Sequence, residues 1–94
     1  MPSSARRVRD NTALSRYELD IDGAVAFANY RRTATADIIT HTETPRALRG
    51  RGIASELIAG VLELIRADGR KVIAGCSFVV DYLERHPEDA DIAG

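Results

Sequence analysis

The sequence predicts an α/β fold of the α+β type, in which an antiparallel strand meander is followed by a helix, a strand and a second helix. Three observations support this prediction. Residues 15–43 show β-type alternation, residues 53–67 place apolar side chains at helical period, and an apolar run at 71–76 precedes a second helical pattern. The length suits one domain, assigned to residues 1–94, in which we expect residues 1–7 to be disordered.

The first half of the chain contains three predicted antiparallel strands. In residues 15–22 apolar and acidic positions alternate, which is typical of a half-buried strand. Its inward-facing positions are Tyr17, Leu19 and Ile21. Asp22 and Gly23 then predict a type I′ hairpin turn, because Gly23 tolerates a positive φ. Residues 24–32 are the predicted returning strand, and residues 33–43 are β-branched and apolar enough for a third strand.

The longer helix follows from the spacing of apolar residues. From Ile53 to Ile65 they recur every four positions, with further apolar residues beside them, which gives one wide apolar stripe. Asp68 and Gly69 end this helix, because Gly69 suits the left-handed position that follows a helix.

The end of the chain predicts one more strand and one more helix. Residues 71–76 form a short apolar run after a helix, which predicts a buried strand parallel to the third. Ser77 is the predicted N-cap of the last helix. Pro87 ends that helix at His86, because the residue before a proline is disfavoured in helical conformation.

Composition excludes several classes of protein. The formal net charge is −1, so we expect no partnership with nucleic acid or membranes. Cys76 is the only cysteine, which excludes an internal disulfide, and the two histidines offer no zinc spacing, so we expect no metal. The N-terminus lacks the apolar core of a signal peptide and no segment reaches membrane-spanning length, so we expect a cytoplasmic protein.

The stretch "RALRGRGIASEL" contains the start of the longer helix and has the character of an anion site. The first N–H groups of a helix lack intrahelical partners and carry partial positive charge. Gly50 and Gly52 have no Cβ, so a phosphate can approach those groups closely. Arg49 and Arg51 add positive charge beside them.

Other phosphate motifs fit this turn less well. A Walker A loop needs Gly-Lys-Ser/Thr, which is absent. A dinucleotide fingerprint needs a third glycine or alanine where Ser55 stands, and an acidic residue after the next strand. The spacing alone leaves a second interpretation open, in which glycines give a flexible helix start and the arginines are merely solvated.

Four blocks follow one another along the chain: "SRYEL", "THTETP", "LRGRGIASELI" and "CSFVVDYLERHPE". The third contains Arg49-x-x-Gly52-x-Ala54, between a strand and an amphipathic helix. This motif resembles the acetyl-CoA pyrophosphate motif of the GNAT N-acetyltransferase superfamily. With the four blocks, the whole chain, from about residue 8 to about residue 92, resembles the minimal single-domain branch of that superfamily.

The resemblance implies a shortened GNAT fold, without two early helices, in which the third strand and the strand at 71–76 form a splayed parallel pair. It also implies that acetyl-CoA binds, with its pantetheine arm between those strands and its pyrophosphate on the amides of residues 51–55. The implied cofactor-binding residues are Glu43, Thr44, Arg49, Gly50, Arg51, Gly52, Ile53, Ala54 and Ser55. The implied partners are acetyl-CoA and an amine acceptor, either a small molecule or a protein, bound by a monomer or weak homodimer.

Two residues depart from the pattern of this branch at the cofactor groove. Thr44 stands where an apolar residue is expected, and Gly75 stands where a proline is frequent. We expect both to loosen the thioester end of the groove.

Four residues are candidates for the chemistry of acetyl transfer, which needs a nucleophile, a base and an acid. Cys76, at the start of a helix, either accepts the acetyl group and passes it on, or only lines the channel. His41 is the first base candidate and Glu43 the second, although His41 equally suits a bond to neighbouring backbone. Tyr82 lies near where many GNAT enzymes place a tyrosine acid, and suits core packing equally well.

The leading hypothesis is therefore an acetyl-CoA-dependent N-acetyltransferase that acts on an unidentified amine, with Cys76 as the candidate acetyl carrier. Two alternatives remain. One is a CoA-binding module without catalysis, because the missing early helices leave no obvious acceptor pocket. The other is a protein-interaction domain whose arginines bind an acidic partner.

Overall fold

The computed structural model describes residues 8–94, so the expected disorder at residues 1–7 lies outside the described residues. The elements are strands β1 (Val8–Asn11), β2 (Arg16–Ile21), β3 (Ala24–Arg32), β4 (Ala36–Glu43) and β5 (Lys71–Ala74), helices α1 (Ile53–Ala67) and α2 (Ser77–Arg85), and 3-10 helices Arg46–Leu48 and Pro87–Ile92. The five strands form one sheet in chain order. All neighbours are antiparallel except β4 and β5, which are parallel. The predicted α+β class with one parallel pair is confirmed.

Helix α1 covers one face of the sheet and contacts all five strands. Its buried side chains repeat at helical period, as predicted from the apolar stripe. They are Ile53, Leu57, Ile58, Val61, Leu62 and Ile65. Complete burial of one such side chain stabilises the fold by about 1.5–3 kcal/mol. After α1, Gly69 has the predicted left-handed conformation, with φ at 71°.

The β2–β3 hairpin has the predicted turn. Asp22 and Gly23 both have positive φ, at 52° and 81°, which is the signature of a type I′ turn. The register pairs Leu19 with Ala26 and Ile21 with Ala24, so these side chains lie on the α1 face of the sheet.

Strand β1 was missed by the sequence analysis, which began the sheet at residue 15. Val8 is the only described residue of β1 that is fully buried, so the segment has no apolar periodicity to detect. Its pairing with β2 is reinforced by side chains instead. Arg9 Nη2 and Asn11 Nδ2 donate to the Glu18 carboxylate over 2.5 and 3.0 Å.

Glu18 is buried, although the alternation of β2 predicted a solvent-facing side chain. It lies on the sheet face that α1 does not cover, and only 3% of it is exposed. Burial alone would raise the pKa of Glu18, but hydrogen bonds from Arg16 and Asn11 and the charge of Arg9 hold it below its usual value. Local charge pairing therefore buries a residue that periodicity assigns to the surface.

Three predicted boundaries were also wrong. Strand β5 ends at Ala74 instead of residue 76, because the chain turns into α2 after Gly75 bonds to Ile39. Strand β4 begins at Ala36 instead of residue 33, because Thr33 Oγ1 accepts the backbone N–H of Ala36 over 3.0 Å and forms a turn. The N-cap of α2 is Cys76, and Ser77 is the first helical residue without a side-chain cap bond. The acidic tail forms a 3-10 helix, in which Ile92 returns to the core.

Candidate functional site

Strands β4 and β5 separate halfway along β4. Residues 36–39 pair with residues 71–74, and the N–H of Gly75 then donates to the carbonyl of Ile39 over 2.8 Å. Beyond this bond β4 continues to Glu43, whereas the segment after β5 turns into α2. The parallel pair is therefore open along residues 40–43 of β4, which leaves a slot between the two strand ends.

A bulge in β4 lies at the start of this slot. Tyr30 of β3 pairs with Ile39, and Asn29 pairs with His41, so Thr40 is the extra residue. The bulge changes the alternation of side chains, because a bulged strand places two residues opposite one. As a result Thr42 shares the α1 face with Ala28, its partner on β3, whereas His41 lies on the opposite face.

Gly75 allows β4 and β5 to approach closely. A Cβ at this position would lie 2.8 Å from the carbonyl oxygen of Ile39 and 3.1 Å from Cγ2 of Ile38. Glycine therefore permits the close approach, and a proline would also lack the N–H that bonds to Ile39. The expected loosening concerns the thioester end of the groove and stays a prediction.

A cavity of about 230 Å³ lies in front of α1. Its lining residues are Thr44, Leu48, Arg49, Gly50, Gly52, Ile53, Ala54, Ser55 and Phe78. The set contains every predicted cofactor-binding residue except Glu43 and Arg51. Leu48 and Phe78 were missed, because single apolar residues in short helical segments look like ordinary core positions.

The backbone of the turn leaves donors available at this cavity. Gly50 and Gly52 have φ values of 79° and 71°, and neither has an atom within 4 Å of the position that a Cβ would take. The first bond of α1 runs from the N–H of Glu56 to the carbonyl of Gly52. The N–H groups of Ile53 and the two residues after it therefore precede the intrahelical ladder, at the positive end of the helix dipole.

The two arginines flank the cavity but already have partners. Arg49 Nε donates to the carbonyl of Thr44 over 3.2 Å, and its Nη2 lies 3.9 Å from the Glu43 carboxylate. Arg51 Nη1 donates to Asp22 over 3.2 Å. All of these side chains are exposed, and exposed ion pairs contribute only about 0–1 kcal/mol. A phosphate can therefore compete for both guanidinium groups at small cost.

Cys76 lies at the other side of the slot. Its Sγ is 3.6 Å from Oγ1 of Thr42, and the residue is half-buried. As the N-cap of α2 it has extended backbone, and its carbonyl accepts the N–H of Val80 over 3.2 Å. The thiol is thus fixed where β5 ends and α2 begins.

His41 and Glu43 form a pair on the sheet face that α1 leaves uncovered. His41 Nε2 lies 2.9 Å from Oε1 of Glu43, and both side chains are largely exposed, at 58% and 41%. The ring of Phe27 lies 6.4 Å from the His41 ring. Of the two interpretations given for His41, the bond to a neighbouring group is present, with a carboxylate instead of backbone as the partner.

Tyr82 lies in the core. It is 5% exposed, and its ring stacks on that of His86 with centroids 4.0 Å apart. Burial raises the pKa of Tyr82, and the nearby Asp89 and Glu88 charges raise it further. This environment favours the packing interpretation over the role of an acid at the slot.

A larger cavity, of about 330 Å³, lies at the other end of α1 and is far from this chemistry. It is lined by Asp10, Tyr17, Arg32, Leu64, Ala67 and Asp68. Arg32 donates to Asp37 through Nε over 2.7 Å and to Asp10 through Nη2 over 3.0 Å. The phenol of Tyr17 also donates to Asp37. Because these groups satisfy one another, the cavity is best explained as part of the structural network.

Within residues 8–94, His86, Glu88 and Asp89 place possible metal-ligand atoms within 4.8 Å of one another. Two ion pairs already engage them: His86 with Glu88 at 2.9 Å, and Arg66 with Asp89 at 2.9 Å. These pairs attach the tail to α1 and α2. Neither described α-helix is long and apolar enough to span a membrane.

Comparison with known proteins gives a consistent result. The model of the GCN5-related N-acetyltransferase family matches residues 16–92. Protein NATD1 of Xenopus tropicalis is 30% identical over 90 residues, which cover 92% of this chain and 82% of that protein. Human NATD1 is 33% identical over 66 residues, 70% of this chain and 58% of that protein.

The fold has a solved counterpart. The solution NMR structure of a GCN5-like protein from Staphylococcus aureus superposes with a TM-score of 0.70 at 26% identity, over 100% of this chain and 91% of that one. The family model covers far more than half of the chain and includes the glycine turn, the slot and Cys76. The chain therefore belongs to the GCN5-related N-acetyltransferase family.

Proposed function

We propose that this protein is an acetyl-CoA-dependent N-acetyltransferase, which transfers the acetyl group to an amine through Cys76. The single observation that carries the proposal is the open cavity at the start of α1. Its walls reach both sides of the slot: Thr44 follows Thr42 by two residues, and Phe78 follows Cys76 by two residues. A ligand seated on the helix start can therefore extend toward the thiol.

The residues present fit coenzyme A. A pyrophosphate is a dianion, and the N–H groups of residues 53–55 together with Arg49 and Arg51 offer donors and positive charge. Leu48 and Phe78 provide an apolar wall for the aliphatic part of the pantetheine arm. When bound, the coenzyme supplies an acetyl group activated as a thioester.

The proposed reaction has two steps. In the first, the thiolate of Cys76 forms a bond to the acetyl carbonyl carbon, and the bond from that carbon to the coenzyme sulfur breaks, so that coenzyme A leaves as a thiolate and takes up a proton from water. In the second, the nitrogen of the acceptor amine attacks the same carbon and the bond to Cys76 breaks. Cys76 recovers its electron pair, and the proton released by the nitrogen passes to His41.

In this proposal the acceptor binds on the sheet face opposite α1, where His41 and Glu43 lie. The Glu43 carboxylate accepts from one ring nitrogen of His41, which leaves the other available for the proton of the amine. Because α1 lies on the other face, the acceptor reaches the slot without displacing a helix. The thiol must remain reduced for this chemistry, so a cytoplasmic location is part of the proposal.

A non-catalytic acetyl-CoA-binding module is the second candidate. It is favoured by the largely exposed His41 and Glu43, since no described element encloses an acceptor beside them. In such a module, the surface beside His41 and Glu43 would instead bind a protein partner.

Mass spectrometry of the intact protein separates these functions. We expect wild-type protein incubated with acetyl-CoA to gain one acetyl group, which hydroxylamine removes and which an added amine accepts. Cys76→Ala should gain none and should not acetylate amines, whereas Ser77→Ala, at the adjacent exposed position, should behave as wild type. Amine acetylation by Cys76→Ala at the wild-type rate would contradict the route through Cys76. Binding without any transfer would establish the non-catalytic module.

A further inference from the structure

Thr42 and Cys76 are the residues that bridge the slot where the strand ladder has ended. Thr42 Oγ1 and Cys76 Sγ are 3.6 Å apart, although 34 positions separate the residues in the sequence. The last backbone bond between the two strands lies before this point, at Ile39 and Gly75. The Thr42 hydroxyl is thus a polar group of β4 that contacts the thiol on the other side of the slot.

The geometry of β4 fixes the direction of that hydroxyl. The bulge at Thr40 places Thr42 on the α1 face, beside Ala28 of β3. Threonine is β-branched, so its χ1 is restricted in a strand and the hydroxyl has few alternative positions. The hydroxyl of Thr40 makes a different contact: the residue is exposed, and its Oγ1 donates to the carbonyl of Asn29 over 3.4 Å.

The chemistry of the contact depends on the state of the sulfur. A hydroxyl can accept from a thiol and can donate to a thiolate, and bonds to ionised groups are roughly twice as strong as neutral ones. A hydroxyl that donates to the sulfur therefore favours the nucleophilic form, and it also holds Sγ at the edge of the slot.

We propose that Thr42 is a positioning residue for Cys76: its hydroxyl donates to the Cys76 thiolate, orients it into the slot and increases its reactivity. The role of this pair in acetyl transfer depends on the function proposed above. The reactivity of the thiol does not depend on that function, because this reactivity can be measured without acetyl-CoA.

Alkylation by iodoacetamide tests the assignment. In this reaction the thiolate forms a carbon–sulfur bond and iodide leaves. At neutral pH we expect Thr42→Val, which keeps the shape and removes the hydroxyl, to alkylate about fivefold more slowly than wild type, from the net strength of one hydrogen bond. Thr42→Ser restores the hydroxyl and should return the rate to within about twofold of wild type. Thr40→Val is the matched control and should alkylate as wild type does.

Thermal unfolding of each variant shows whether the fold is retained. Equal rates for Thr42→Val and wild type would overturn the proposal, and so would a Thr42→Ser rate as slow as that of Thr42→Val. If the expected rates are found and no acetyl-CoA binds, Thr42 still positions Cys76 and the transferase function is lost. If acetyl-CoA binds and the Thr42→Val rate is unchanged, the function stands and Thr42 has no such role.

Discussion

The N–H of Gly75 donates to the carbonyl of Ile39 over 2.8 Å, and this bond is the last one that joins β4 to β5. It determines where the slot starts, because beyond it β4 continues paired with β3 but without a partner on its β5 side. The Cβ of any larger residue at position 75 would approach the same carbonyl to 2.8 Å. One hydrogen bond and one missing side chain thus define the inner end of the proposed site.

Substitution of Gly75 should lower stability. Gly75→Ala forces the two backbones apart, and we expect a loss of about 1–3 kcal/mol in the free energy of unfolding, as for other overpacked positions. Gly75→Pro removes the N–H as well, and should be at least as destabilising. Urea denaturation monitored by circular dichroism measures both.

The control for Gly75 is Ser77→Ala, which lies two residues away. Ser77 is exposed and is not the N-cap of α2, so its substitution should change stability by less than about 0.5 kcal/mol. A Gly75→Ala protein as stable as Ser77→Ala would show that the strands approach less closely than described here.

Asp37 should make the protein sensitive to acid. The residue is fully buried, and burial alone would raise its pKa. Hydrogen bonds from Arg32 and Tyr17 outweigh burial and hold the pKa below its usual value. A lowered pKa in the folded state means that this contribution is complete above about pH 4, the usual value for aspartate, and is lost as the pH falls through the folded pKa.

The variant Asp37→Asn tests this pH dependence. We expect it to lose about 1–3 kcal/mol at neutral pH, because a charged partner of Arg32 disappears, and to lose less further stability in acid than wild type does. Asp22→Asn is the matched control, since Asp22 is exposed and its ion pair within residues 8–94 is with the exposed Arg51. A pH profile of Asp37→Asn parallel to that of wild type would contradict the assignment.

Features that depend on neighbouring residues were predictable from the sequence, whereas features that depend on partners elsewhere in the sequence were not. The hairpin at Asp22 and the helix start at Gly52 require positive φ values, a local demand that glycine and aspartate reveal in the sequence. The burial of Asp37 depends on Arg32 and Tyr17, which are 5 and 20 positions away, and no local pattern predicts it. Strand β1 likewise depends on Glu18, which lies 7 to 9 positions from the β1 residues that bond to it.

The candidate site shows the same division. The glycine turn was predicted, whereas the cavity walls at Leu48 and Phe78 and the contact of Thr42 with Cys76 were not. The position of Thr42 depends on a bulge, which shifts the side-chain alternation by one residue. A regular period of two assigns Thr42 to the opposite face.

Alkaline titration should show that all three tyrosines resist ionisation. Burial raises the pKa of Tyr30 to about 12, with a further contribution from its hydrogen bond to Asp10. Burial also raises the pKa of Tyr17 and of Tyr82. Raised values in the folded state mean that this stability is complete below about pH 10, the usual tyrosine value, and is lost as the pH rises toward the folded pKa.

Absorbance at the phenolate band measures tyrosine ionisation, and circular dichroism followed in the same titration measures unfolding. The phenolate signal should remain absent at about pH 10 and should appear only near the pH at which the protein unfolds. Ionisation of one tyrosine near pH 10 in folded protein would contradict the burial of that side chain.

The central claim is that the start of α1 holds the pyrophosphate of acetyl-CoA, and calorimetric titration of two matched variants tests it most directly. Gly52 and Gly69 both have φ at 71°, lie at opposite ends of α1 and have open space around the missing Cβ, so replacement by glutamate strains both backbones equally. Only Gly52 lines the cavity. We predict that acetyl-CoA binds to wild type and to Gly69→Glu but not to Gly52→Glu, whose carboxylate repels the pyrophosphate. Equal binding by Gly52→Glu and Gly69→Glu, or no binding by wild type, would contradict the account.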